Sequence, residues 1–248
     1  MLRKRFITVL TFNDGVLFRT KLFKPDYRYT LNFVDAWSVD EIVVLNVTRP
    51  GIGNKVNFFS IVQEFSGRCF VPLAAGGGIR DLEDVRHFIS VGADKVVVNS
   101  GALERPELIS EIAKLYGSQC VVVSIDSRET EDGYYEVFST FATKKTGLEV
   151  TAWAKEAQNL GAGEILITSI ERDGFLQGYD LNLCRMVADA VSIPVLALGG
   201  AGNWKHMVDA FRSAGVSAAC TQNIYHFTET SIQSAKTYLT QAGIEVRH

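Results

Sequence analysis

The chain has 248 residues, 47% of them apolar, and its 25 Lys and Arg against 28 Asp and Glu leave a net charge near −3. That is enough apolar material for one large core or two average domains, and a mildly acidic balance with no Lys/Arg block argues against nucleic acid as the main partner. No apolar run approaches the roughly 20 residues of a membrane span, and the run behind the basic MLRKRF start is too short for a signal peptide, so a cytoplasmic chain with no membrane partner is expected.

Taken in order, the first apolar run, FITVL, ends at Thr11 before a polar turn at Asn13-Asp14-Gly15. The second, EIVVLNV, carries Asn46, and the third, CFVPLAA, runs into Gly76-Gly77-Gly78. A helical pattern, LEDVRHFISVG, leads to DKVVVNS, which exits at Asn99-Ser100. PELISEIAKLYG then precedes CVVVSID, which exits at Asp126. TAWAKEAQNLG, EILITSI, LNLCRMVADAV, PVLALGG, WKHMVDAFRSAG, SAACTQN and TSIQSAKTYLTQAG continue the alternation. Apolar runs without a polar alternation belong to strands buried on both faces, as in a parallel sheet. Several helical patterns stop at Gly, a C-cap signal.

Eight such strands with intervening helices predict an α/β fold, a single (β/α)8 barrel over residues 1–248; a doubly wound open sheet is the other arrangement. No linker composition marks a boundary. SRETEDGYYEVFSTFATKKTG is too long for a simple βα loop, and Asp132-Gly133 ahead of YYEVF predicts a hairpin inserted after the fifth strand, over the catalytic face. The segments beginning PLAAGGGIRDLEDV and PVLALGGAGNWKHM share a Pro strand, a Gly turn, a helix, a Gly and another strand. This is an internal repeat of half-barrel size, and it sets Thr11 opposite Asp126.

Gly76-Gly77-Gly78 and Gly199-Gly200-Ala201-Gly202 each follow a strand, and each is followed by a second strand exit with polar residues, Asn99-Ser100 and Gln222-Asn223. Backbone N–H groups of such loops can cradle phosphate oxygens, so two phosphate cups across one mouth are expected; tight βα turns would also use these glycines. The second cup, which Asp173 and Gly174 could close, is the weaker of the two because Gln222 is bulky. Asp126 stands where a partly desolvated carboxylate can take or give protons, or can serve only as a cap or loop acceptor. Arg5, Glu41, Lys95 and Glu164 each directly precede an apolar run. Two cations and two anions at the barrel's lower opening would form a neutral ring, since unpaired charges there cost desolvation; ordinary surface charge is the plainer reading.

Cys69, Cys120, Cys184 and Cys220 are scattered and read as reduced, mostly buried thiols. The four histidines make no zinc motif, and neither a metal nor a cofactor is expected.

The ordered motifs GGGI, GADKVVVNS, YGSQCVVVSID, KKTG, GAGEILITSIERDG, GYD and GGAG resemble the cyclase subunit of imidazole glycerol phosphate synthase over almost the whole chain. The resemblance implies a (β/α)8 barrel that takes ammonia from a glutaminase partner docked on its lower, N-terminal face and passes it to a bis-phosphorylated substrate. It implies phosphate contacts at Gly78, Asn99, Ser100, Asp173, Gly174 and Gly200, an ammonia gate of Arg5, Glu41, Lys95 and Glu164, and a catalytic role for Asp126. It departs at strand one, where the synthase carries an aspartate in place of Thr11. A threonine hydroxyl stays neutral near pH 7, and losing a general acid or base typically costs about 10²–10⁴ in rate. Asn46 stands where the family tends to have Asp, Arg19 where it has Lys, and TQN replaces a small-residue phosphate loop.

KLFKPDYRYT resembles diverged bacterial paralogues that accompany a glutaminase-like subunit and an amidotransferase. Those are associated with acetamidino groups on surface-polysaccharide sugars. The expectation is a barrel subunit of a glutamine-dependent amidotransferase system. The alternative is a cyclase subunit, a lyase of histidine biosynthesis, with Asp126 working without the strand-one acid. No cysteine here sits in a recognisable nucleophile turn, so glutamine hydrolysis falls to a partner.

Overall fold

The structure is a computed structural model that describes residues 3–28, 39–49, 58–222 and 231–247. In chain order, β1 (Arg5–Asn13) turns into a hairpin of β2 (Val16–Lys21) and β3 (Lys24–Arg28), followed by β4 (Glu41–Asn46), α1 (Phe58–Arg68), β5 (Leu73–Gly76), α2 (Leu82–Ser90) and β6 (Lys95–Val98). Two helices, α3 (Ser100–Glu104) and α4 (Glu107–Tyr116), lead to β7 (Val121–Glu129) and a second hairpin, β8 (Tyr135–Ser139) with β9 (Lys144–Glu149). The rest alternates: α5 (Val150–Asn159), β10 (Glu164–Ser169), α6 (Leu181–Ala190), β11 (Val195–Leu198), α7 (Trp204–Ser213), β12 (Ala218–Thr221) and α8 (Ser231–Gln241).

Helix starts follow local chemistry. Asp81, Glu149, Asp180 and Asn203 each cap a helix by accepting from backbone N–H groups of its first turn, which satisfies donors that have no intrahelical partner.

β1, β4, β5, β6, β7, β10, β11 and β12 pair in parallel, and β12 returns to β1. The result is a closed (β/α)8 barrel, as the sequence predicts. Side chains alternate across its wall. Ile7, Val43, Val122, Leu166 and Leu196 fill the inside together with the small Ala74 and Ala218. Phe6, Ile42, Leu73, Ile109 and Val187 face the helices. All four cysteines are free thiols, three of them buried.

The register makes the internal repeat explicit. Thr11 pairs with Leu45 of β4 and Phe18 of β2; Asp126 pairs with Thr168 of β10 and Phe138 of β8. By the same registers Glu41 matches Glu164, Gly78 matches Gly200, and Asn99 matches Gln222. Each half therefore opens with a barrel strand that runs on into an antiparallel hairpin. β7 turns into β8 at Asp132-Gly133, with Gly133 at φ 81°, as the DG signal predicts.

The first hairpin and α1 are absent from the predicted elements. The turn between β2 and β3 uses Leu22 and Phe23 at φ 50° and 60°, which carry no turn signature, and Pro25 in β3 argues against a strand. Among the described residues, no helix is long and apolar enough to cross a membrane.

Candidate functional site

At the C-terminal ends of the barrel strands lies a cavity of about 350 Å³. Thr11, Ser124, Asp126 and Thr168 form its wall, Gly78 and Ser100 part of its rim, and the hairpin tips bring in Phe23 and Phe141. Phe141 is the middle of three consecutive non-glycine residues in the left-handed region, at φ 53°, 58° and 60°. Such a conformation persists only where the surroundings hold it. Here Thr140 N donates to Ser100 Oγ at 3.2 Å. The Arg49 guanidinium lies 5.6 Å from the Phe141 ring centre and reaches the Phe23 carbonyl at 3.5 Å, so one cation spans both hairpins.

Asp126 is buried, and one oxygen accepts from Asn99 Nδ2 at 2.8 Å. Burial pushes its pKa up to about 7; the Asn99 bond pulls the other way, and the charge of Asp173 adds to the rise. Near neutrality the carboxyl is divided between its two protonation states, the condition that suits general acid–base work. Among the described residues, Asn99 Oδ1 is buried without a hydrogen-bond partner.

Across the pseudo-two-fold, Thr11 is committed to neutral bonds. Its hydroxyl donates to Phe18 O at 2.5 Å and accepts from Gln222 Nε2 at 3.2 Å. Gln222 Oε1 in turn accepts from Thr20 N at 3.4 Å. Thr20 Oγ1 donates to Asp173 Oδ1 at 3.0 Å, and Phe23 N donates to Asp173 Oδ2 at 3.0 Å. Asp173 thus anchors the first hairpin. A carboxylate at position 11 would face the Phe18 carbonyl, acceptor against acceptor.

The two cups are unequal. A Cβ placed on Gly78 meets none of the described residues within 4 Å, so among them that backbone stands at an open wall. A Cβ on Gly200 would lie 2.2 Å from the Gly178 carbonyl, and Gly178 N donates to Gly200 O at 2.7 Å. Gly174 is packed likewise, with the Thr20 carbonyl 2.5 Å from where its Cβ would be. The space left between Asp173, Gly174, Gly200 and Gln222 is about 20 Å³. Asn223 and the side chain of Arg19 lie outside the described residues.

At the other end of the barrel, the first residues of β1, β4, β6 and β10 meet. Arg5 Nη1 contacts Glu41 at 2.9 Å and Arg5 Nη2 contacts Glu164 at 2.8 Å. Lys95 Nζ reaches both oxygens of Glu41 at 2.9 Å and Glu164 at 2.8 Å. Each cation bonds both anions, so the ring closes. Burial pushes the Glu41 carboxyl up, against the pull of Lys95. Burial alone would lower Arg5, but Glu164 and Glu41 hold it above its ordinary value. The four charges that the sequence placed at strand starts therefore form one cluster.

Sequence reasoning missed Thr20, Phe23 and Arg49, because each depends on the unpredicted first hairpin. Phe141 was within reach: an aromatic residue in the predicted inserted hairpin belongs over the mouth.

A family model described as histidine biosynthesis protein matches residues 8–231. That span takes in the floor ring beyond Arg5, the Asp126 wall and both glycine turns, on a fold closed by β12 and β1. With this barrel and so continuous a match, the chain belongs to the histidine biosynthesis protein family.

Proposed function

We propose that the chain is the ammonia-conducting barrel subunit of a glutamine-dependent amidation system. In this role it takes ammonia from a glutaminase docked on the lower face and releases it for an acceptor at or above the cavity. The diverged KLFKPDYRYT section favours an acetamidino group on a surface-polysaccharide sugar as the end product, made with a separate amidotransferase.

One observation carries the reading. A closed, charge-balanced floor ring lies under a cavity whose strand-one position is held by Thr11, locked into neutral hydrogen bonds. Ring closure by paired acids requires a second titratable group, which Thr11 does not supply. Ammonia, small and uncharged, asks of the barrel only a path and a gate. Asp126 orients the acceptor or moves one proton at a carboxyl oxygen. Phe70, 82% exposed beside the start of β5, offers an apolar anchor on the same face as the ring, as docking surfaces commonly do.

The test supplies the purified chain with ammonium salts and the imidazole glycerol phosphate precursor. Imidazole product is expected at a rate about 10²–10⁴ below that of a paired-acid enzyme. Brisk formation would return the chain to the cyclase reading.

A further inference from the structure

Three polar side chains on two adjacent strands are buried yet make few bonds. Ser124, Asp126 and Thr168 are 8%, 7% and 3% exposed, and all three line the cavity. Among the described residues, the Ser124 and Thr168 hydroxyls have no hydrogen-bond partner, and Asp126 bonds through one oxygen only, to Asn99. Thr11, by contrast, commits its hydroxyl proton to Phe18 O. The register brings the three together. Asp126 of β7 pairs with Thr168 of β10, and Ser124 pairs with Leu166. Neighbouring strands lie about 4.8 Å apart, and residues two apart on a strand share a face. Val122 and Leu166, two residues before Ser124 and Thr168, fill the barrel interior, so Ser124, Asp126 and Thr168 point inward above them. Polar groups buried this deeply are normally hydrogen-bonded, and three such groups side by side at a cavity wall mark a ligand's place.

We infer that Ser124, Thr168 and the second oxygen of Asp126 form a binding site for ammonia and ammonium at the inner wall of the cavity. Three features select this ligand. The site offers three oxygens able to accept, and ammonium has an N–H for each of them. Asp126 when ionised, with the negative charge of Asp173 nearby, draws a cation and repels an anion. β10 also carries Glu164 of the floor ring four residues before Thr168, about 13 Å along the strand, so the site lies above the ring on the same strand. The proton balance closes within the site. A protonated Asp126 gives its proton to arriving ammonia, leaving a carboxylate–ammonium pair; return of that proton to the carboxylate frees ammonia with its lone pair. Neither hydroxyl changes its protonation. The inference rests on the reading of the chain as an ammonia conduit and adds a resting place at the end of the path.

NMR line broadening of isotope-labelled ammonium chloride by the intact chain tests it, at constant ionic strength and at pH 8, above the carboxyl's pKa of about 7. Saturable broadening with one site per chain is expected, and potassium chloride should displace the label about tenfold less effectively than unlabelled ammonium, since potassium donates no hydrogen bonds. Potassium competing equally would mark a general cation site and overturn the inference; so would broadening that does not saturate. Ser124→Ala removes one bond and is expected to weaken binding about tenfold. Asp126→Asn removes the charge and is expected to weaken it at least as much. Unchanged affinity in either variant would overturn the inference. If Ser124→Ala fails to fold, Thr168→Val reads the same loss. Loss of the site leaves the conduit reading standing, because ammonia can cross without resting. Brisk imidazole formation from ammonium salts, with saturable binding intact, would drop the conduit reading and keep the site.

Discussion

At Asp126 a carboxyl is buried with one amide donor, Asn99, and with the negative charge of Asp173 nearby. The unfolded chain ionises this group near pH 3.8, the folded chain near 7. Between those values the folded state holds a proton that the unfolded state has lost. Stability therefore falls as pH rises across that window, and the loss is complete above about pH 7. Asp126→Asn removes the group that suffers. Urea unfolding should show a gain on the order of 2–4 kcal/mol at pH 8 and under about 1 kcal/mol at pH 4. Proton transfer at this position should be lost in the same variant. A gain equal at both pH values would mean that the carboxyl is ionised in the fold throughout.

At the scale of elements, the floor ring joins four strands that are not all neighbours in the sheet. Removing one charge leaves the others buried and unbalanced, typically at about 3–5 kcal/mol for a buried pair. Glu164→Gln should therefore lower stability by about 3 kcal/mol, read from urea unfolding. Adding Lys95→Met should restore most of that, because Arg5 and Glu41 remain as a complete pair. A double variant as unstable as the single one would show that the ring is not a balanced unit.

Much of this was legible in the sequence. Unalternating apolar runs located all eight barrel strands, since strands buried on both faces leave that mark. The Asp132-Gly133 turn located the antiparallel insertion that follows β7. The charges ahead of four runs located the ring, because a strand's first residue fixes which end of the barrel it occupies. The first hairpin was hidden, since Leu22 and Phe23 are held in the left-handed region by tertiary contacts, among them Leu22 N to Asp173 O at 3.3 Å and Phe23 N to the Asp173 carboxylate. With it went the network of Thr11, Thr20 and Gln222, whose members come from three separate elements. The tight packing at Gly200 was equally unreadable, as it depends on where the Gly178 carbonyl falls.

For the molecule as a whole, the two barrel ends are built differently. The upper end is roofed by hairpins, while the lower end is ringed by short turns from which Phe70 projects. On the function proposed above, Phe70→Glu should weaken capture of a glutaminase at least tenfold, in line with loss of an apolar anchor; undiminished capture would move the docking surface elsewhere. The lower end is also where the chain's two ends meet. Asp40 accepts from Phe6 N at 2.7 Å and binds Lys236 of α8 at 2.8 Å, so the last helix is stapled to the first strands.

The ring carries one more consequence. Arg5, Glu41 and Lys95 all come from the first half of the chain, and Glu164 alone comes from the second. A tandem of two first halves would crowd a surplus of positive charge into the floor, and a tandem of two second halves would set like carboxylates together with no cation. Only the unlike pairing is neutral, so the duplicated halves have diverged into obligate complements, and neither can be exchanged for a copy of the other.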